Sequence, residues 1–144
     1  MKFTNEQQQS AGLFLLRALL GIIFLMQGFG KVFTYTVEGV YQNAFAEMES
    51  TWIPIFLLKL TAYFTSYMEL IGGLLLTLGL MRQWAYLGLG LFLLLVSYGH
   101  GLSSPIWDLQ HVFFRAALLI PLFMLPPQWD RWALDRLFFQ SDAD

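Results

Sequence analysis

Cysteine is absent from all 144 residues. Disulfides, iron–sulfur clusters, thiolate metal sites and thiol-exchange catalysis are therefore excluded within this chain. Charge is also scarce. Asp, Glu, Lys and Arg make up 12% of the residues, against ~25% in an ordinary soluble domain. The net charge of −2 leaves no basic patch, so no nucleic-acid partner is expected. Histidine, carboxylate and quinone chemistry stay open.

What the chain has in abundance is apolar sequence, 57% of it, in long runs between short polar joints. A helix needs roughly 20 residues to cross ~30 Å of hydrocarbon. Four such runs lie at about 11–31, 56–80, 84–99 and 105–125. Together they use almost the whole chain. The expected fold class is an all-α membrane protein: a four-transmembrane-helix bundle with short amphipathic interfacial helices. It forms one membrane domain over 1–144. The first run follows the polar stretch Asn5 to Gln9 and has no small-x-small cleavage site, so it reads as a retained helix and not a signal peptide.

Local signals mark the ends of these helices. Thr4-x-x-Gln7 has the form of a capping box. Ser104 and Pro105 suit the cap and first position of the fourth helix, and Pro126-Pro127 stops it. The joint Met81-Arg82-Gln83 is so short that the second and third helices must form an antiparallel hairpin. Between the first two runs, Val37, Val40, Tyr41, Ala44, Phe45 and Met48 recur at helical spacing, opposite Glu38, Glu47 and Glu49. That predicts a short helix lying on the membrane. After the last run, Trp129, Trp132, Ala133 and Leu137 alternate with Asp130, Arg131, Asp135 and Arg136, which predicts a second one. All five tryptophans fall near span ends, as an aromatic belt requires. Lys2, Arg82, Arg131 and Arg136 share one side of a four-span arrangement, so the positive-inside rule puts both termini in the cytoplasm.

A charge at the bilayer centre costs ~3 kcal/mol or more, so each one needs a partner or a task. At 100° per residue, Arg17, Gly21, Phe24, Gly28 and Lys31 share one side of the first helix, with Gln27 at its edge. In the second helix, Thr61, Ala62, Thr65, Ser66, Gly72 and Gly73 share the face of Glu69, and their small size marks that face as inward. Arg17 and Glu69 are therefore expected to form a buried ion pair, either holding helix register or serving a proton path. Interfacial snorkelling accounts for Lys31, Lys59 and Arg82. His100 ends the third helix, and Asp108, His111 and Arg115 follow at i, i+3 and i+7 on one face of the fourth. With Gln27 and Lys31 they would converge in one half of the membrane as a ligand or proton-handling cluster. The two histidines carry no haem or metal spacing and no further ligand accompanies them, so no metal site is expected.

These residues resemble the DoxX family of small bacterial membrane proteins. Arg17-x3-Gly21-x2-Phe24-x2-Gln27-Gly28-x2-Lys31 resembles the family's first-helix motif, and Glu69-x2-Gly72-Gly73 with Gly79 its second. Trp132-Ala133-Leu134-Asp135 is similar to its terminal aromatic-Ser-Leu-Asp segment. The family often has histidine where Gln27 stands and serine where Ala133 stands. The resemblance implies a four-helix bundle in the bacterial inner membrane, and links some relatives to quinone-dependent thiosulfate oxidation or to membrane oxidoreductase complexes. The leading functional expectation is thus a quinone-linked subunit of such a complex. Asp108 and His111 would handle protons, Arg115 would clamp a carbonyl, and a partner subunit would supply electrons. The alternative is a non-enzymatic scaffold or assembly partner, or a homo-oligomer of that kind. A small-solute or proton transporter ranks third, because no inverted repeat or broken helix pair is evident.

Overall fold

A computed structural model of the chain describes residues 3–50, 52–103 and 110–139, and these are helical throughout, joined by short turns. Helix α1 spans Asn5–Phe29 and opens with the expected capping box. The Gln7 N–H donates to Thr4 Oγ1 (3.3 Å), and the Thr4 N–H donates to Gln7 Oε1 (3.0 Å). A wide π-helical turn, Gly30–Thr34, extends it. Thr36, held at φ 60°, then caps α2, Val37–Ala44, by accepting from the Gly39 N–H (3.2 Å). A 3-10 turn at Ala46–Ser50 follows.

Pro54 opens α3, Ile55–Leu78, and Gly79 closes it at φ +70°. The Leu80 N–H donates back to the Leu75 carbonyl (2.9 Å), which satisfies an orphan acceptor at the helix end. A Cβ at position 79 would also sit 2.8 Å from the Ala133 backbone and from Arg17 Cζ, so glycine is required there twice over. Met81 completes the tight turn at φ 49°. Helices α4, Arg82–Ser103, and α5, Gln110–Met124, come next. The expected start of α5 at Ser104 and Pro105 lies outside the described residues. A 3-10 turn at Pro127–Trp129 and the short α6, Asp135–Phe139, end the described chain.

The long helices touch in the order α1–α3–α4–α5, and α5 returns to α1. The closest seam is α1 against α3. Gly21 faces Thr77, Leu25 faces Gly73 and Gly28 faces Leu70, each across a gap that no Cβ could enter. Small residues let two backbones approach in this way where no hydrophobic force drives helices together. Leu20, Phe24, Leu76, Leu89 and Phe92 fill the centre of the ring. Val37 and Tyr41 of α2 pack on Leu58 and Ala62 of α3, so the expected amphipathic helix is folded onto one end of the bundle. That end is called the loop end below, and the other, where the described residues begin and end, the terminal end.

The distribution of polarity is inverted relative to a water-soluble domain. Arg17, Glu69, Arg82 and Asp130 are buried, while Leu15, Leu19, Ile71, Leu91, Phe113 and Phe114 are exposed. Two helical stretches, residues 5–34 and 82–102, are long and apolar enough to cross a bilayer. Only 33% and 28% of their most apolar stretches are buried, so neither is the core helix of a soluble protein. An apolar exterior of that extent needs lipid against it. Helix α3 is of similar length and carries two charged residues, Lys59 and Glu69.

Candidate functional site

Two ionic clusters lie inside the helix ring, one towards each end. The loop-end cluster centres on Glu69, whose side chain is 1% exposed. Its Oε2 lies 2.6 Å from the Lys31 ammonium, and its Oε1 lies 3.8 Å from the Arg115 guanidinium. Neither oxygen accepts an aligned hydrogen bond within the described residues, so the contacts are of charge with charge. Arg115 also donates to Gln27 Oε1. Aromatic faces wall the group in: Arg115 lies over Phe24 and Lys31 over Phe92, at 5.5 and 5.9 Å. Burying a lone carboxylate costs several kcal/mol, and two cations are what allow Glu69 to sit here. Lys31 is the most accessible member, with 30% of its side chain exposed.

The terminal-end cluster centres on Asp130. Its Oδ2 accepts from Arg17 Nε at 2.6 Å and faces Arg82 Nη1 at 3.4 Å. Arg17 Nη1 donates to the carbonyls of Leu76 and Thr77, both at 2.7 Å. Arg17 thus places a fixed cation on the C-terminal end of α3, where the helix dipole and the free carbonyls favour one. Asp135 does the converse for α4. It accepts from the backbone N–H groups of Met81 (2.6 Å) and Arg82 (3.0 Å), and from Arg82 Nε (2.9 Å). The Leu134 and Asp135 N–H groups donate to Leu78 and Gly79 carbonyls. The segment after α5 is therefore laced to the α3–α4 turn.

This geometry corrects the sequence reading at three points. Arg17 and Glu69 are both fully buried, but they do not pair with one another. The face of a helix fixes azimuth and says nothing of height. The glycine seam sets a register in which Arg17 meets the end of α3 near Leu76, about 10 Å of helix rise from Glu69. Lys31 and Arg82 do not snorkel. Lys31 turns in to Glu69, and Arg82, only 8% exposed, turns in to Asp130 and Asp135. The segment after α5 is not a helix with its acidic residues outward, because Asp130 is buried in an ion pair. Of the predicted cluster, Gln27, Lys31 and Arg115 come together, joined by Glu69. His111 is exposed on the first turn of α5, His100 is half-buried near the end of α4, and Asp108 lies outside the described residues.

Sequence reasoning missed Asp130, although one signal pointed to it. An arginine about three turns into α1 needs a counter-ion at its own level, and the polar residues after Pro127 return the chain to that level. A smaller polar contact braces the loop end. The Tyr41 hydroxyl donates to Glu49, which holds its pKa up at about 12, and Lys59 lies over the Tyr41 ring at 5.1 Å.

The sequence model of the DoxX family matches residues 12–100. The match takes in Arg17, Lys31, Glu69 and Gly79, and stops before Arg115 and Asp130. No curated protein and no solved structure matches the chain. A match over more than half the sequence, on helices whose exteriors demand lipid, identifies the chain as a membrane protein that belongs to the DoxX family.

Proposed function

We propose that the chain is a single four-span domain of the bacterial inner membrane, with both termini cytoplasmic, that serves as a quinone-linked subunit of a membrane oxidoreductase complex. The observation that carries this reading is Glu69: a buried carboxylate with no aligned hydrogen bond, held between an ammonium and a guanidinium. A quinone head presents two carbonyl oxygens, and Lys31 and Arg115 are donors of the right kind for them. Glu69 is the group that would pass protons: as Lys31 and Arg115 turn to the oxyanion of a reduced quinone, Glu69 would take up a proton and hand it to that oxygen, and the cations would return to the carboxylate. Quinone reduction takes two electrons and two protons. The electrons would come from a partner subunit, because this chain has no thiol or recognisable redox-cofactor motif. The cations at the terminal end, Arg82, Arg131 and Arg136, support the cytoplasmic placement of the termini.

The test is mild-detergent purification of the tagged protein, with quinones and proteins in the eluate identified by mass spectrometry. Quinone that co-purifies with the wild type, and is lost in folded Arg115→Gln and Glu69→Gln variants, supports the site. A stoichiometric protein partner without quinone overturns it in favour of a scaffold or assembly subunit. That second reading has its own support, since each buried charge is already balanced within the chain.

A further inference from the structure

A cleft of about 750 Å³ opens at the terminal end, between the start of α4 and the end of α5. Its size falls within the ~300–1,000 Å³ of small-molecule sites. It shares no residue with the loop-end cluster. Leu13, Leu122, Phe123 and Leu125 give it apolar walls. Trp84, on the lining and exposed, sets the level of the mouth, since tryptophan settles where hydrocarbon meets headgroups. A molecule entering from the bilayer can lay a chain on these walls and bring a polar head to the groups between them.

Arg82 and Tyr86 provide the second observation. They stand one turn apart on α4, and both line the cleft. Each is more than nine-tenths buried, the Arg82 side chain and Tyr86 both being 8% exposed. Arg82 Nε donates to Asp135 (2.9 Å), and Nη1 donates to the Pro127 carbonyl (3.1 Å) and faces Asp130 at 3.4 Å. Arg82 Nη2 and the Tyr86 hydroxyl make no hydrogen bond among the described residues. Neither atom is sealed in, because the enclosed, unpaired side-chain atoms among those residues belong to Glu69 and Asp130. Two donors are thus left to the cleft. The carboxylates offer it no free acceptor. Asp135 serves the Met81 and Arg82 N–H groups and Arg82 Nε, and the spare oxygen of Asp130 is enclosed. Three arginines, Arg17, Arg82 and Arg136, stand here against two aspartates, Asp130 and Asp135, which leaves one positive charge in excess.

We propose that this cleft binds one anionic phospholipid. Its phosphate diester accepts from Arg82 Nη2 and the Tyr86 hydroxyl, and an acyl chain lies along Leu122 and Phe123. Hydrogen bonds from a guanidinium to a phosphate oxygen are of the strong, charge-assisted kind. Basic pockets between membrane helices take anionic headgroups on the same principle. A phosphatidylglycerol head brings one negative charge, which offsets the excess positive charge of the cluster. Phosphatidylcholine and phosphatidylethanolamine carry the same phosphate but add a cation. The arginines repel that cation, and no free carboxylate oxygen receives it.

The experiment uses the full chain, exchanged into vesicles holding equal amounts of phosphatidylglycerol, phosphatidylcholine and phosphatidylethanolamine. Lipids retained after gentle extraction are counted by native mass spectrometry. The expected result is one phosphatidylglycerol per chain, favoured over each of the other two by ~10-fold, or ~1.4 kcal/mol. Tyr86→Phe removes one donor and leaves the ring in place, and should lower that retention by ~10-fold. Lys59→Gln removes a half-exposed cation at the loop end and should leave it unchanged. Equal retention of the three lipids, undiminished retention in Tyr86→Phe, or an equal loss in Lys59→Gln each overturns the proposal. If Tyr86→Phe does not fold, the headgroup preference of the wild type and its persistence in Lys59→Gln decide.

Discussion

Replacing Glu69 by glutamine, alone and together with each nearby cation, measures which charge it answers to. At 2.6 Å and an effective dielectric of ~20, the gross attraction between Glu69 and Lys31 is ~6 kcal/mol. Lys31 is 30% exposed, so solvent screening discounts this, and a coupling of ~1–3 kcal/mol is expected for a contacting pair. Arg17 sits about 10 Å further along α3 and has Asp130 as its own counter-ion. Its coupling to Glu69 should be within ~0.5 kcal/mol of zero. The assay is reversible unfolding in mixed micelles, followed by helicity, for Glu69→Gln, Lys31→Gln, Arg17→Gln and the two double variants that contain Glu69→Gln. Both charge removals at the loop end should destabilise singly, because each strands a partner. A strong Arg17–Glu69 coupling with none between Lys31 and Glu69 would refute both the register and the site built on it.

Gly28→Ala places a Cβ 2.2 Å from the backbone nitrogen of Leu70, so α1 and α3 must separate, at a cost of ~1–3 kcal/mol. Gly12→Ala meets nothing within 4 Å and should be neutral or slightly stabilising; thermal midpoints in detergent compare the two. Asp135→Ala removes the acceptor for the Met81 and Arg82 N–H groups, and should cost ~2 kcal/mol and fray the start of α4. Hydrogen exchange at those two amides reads the effect directly. Tyr41 is held protonated by its bond to Glu49, with its pKa raised from 10.0 to about 12. The folded state favours the neutral phenol, so this stabilisation is complete below pH 10 and fades as pH rises to about 12. A tyrosinate absorbance titration of wild type against Tyr41→Phe should show the missing transition near the upper value. A transition at the ordinary value would mean that α2 is not docked as described.

Much of the architecture was legible because it depends on neighbours along the chain. The Thr4–Gln7 capping box, the amphipathic helix at Val37 and the hairpin of α3 with α4 all follow from local stereochemistry and periodicity. The inward faces of α1 and α3 were also readable, since glycine, alanine, threonine and serine marked them. The gathering of Gln27, Lys31 and Arg115 followed from placing charges at matching depths. The partners of Arg17, Glu69 and Arg82 were not readable in this way. Each had several opposite charges within plausible reach, and only the height of one helix against another distinguishes among them.

The sequence by itself determined that this is an apolar, cysteine-free chain of long helices with a few charges that cannot face lipid. It also determined which helix faces turn inward, because side-chain size and polarity act at the residue that carries them. Tertiary structure alone decided the sliding register of α1 on α3, through backbone contacts at Gly21, Gly28 and Gly73. It alone brought Asp130 and Asp135 back to the ends of α3 and α4, a long way along the chain from Arg17 and Met81. The physical reason is the range of the forces involved. Helix propensity and capping act within a turn, whereas an ion pair and a glycine seam exist only once two distant segments share the same few ångströms.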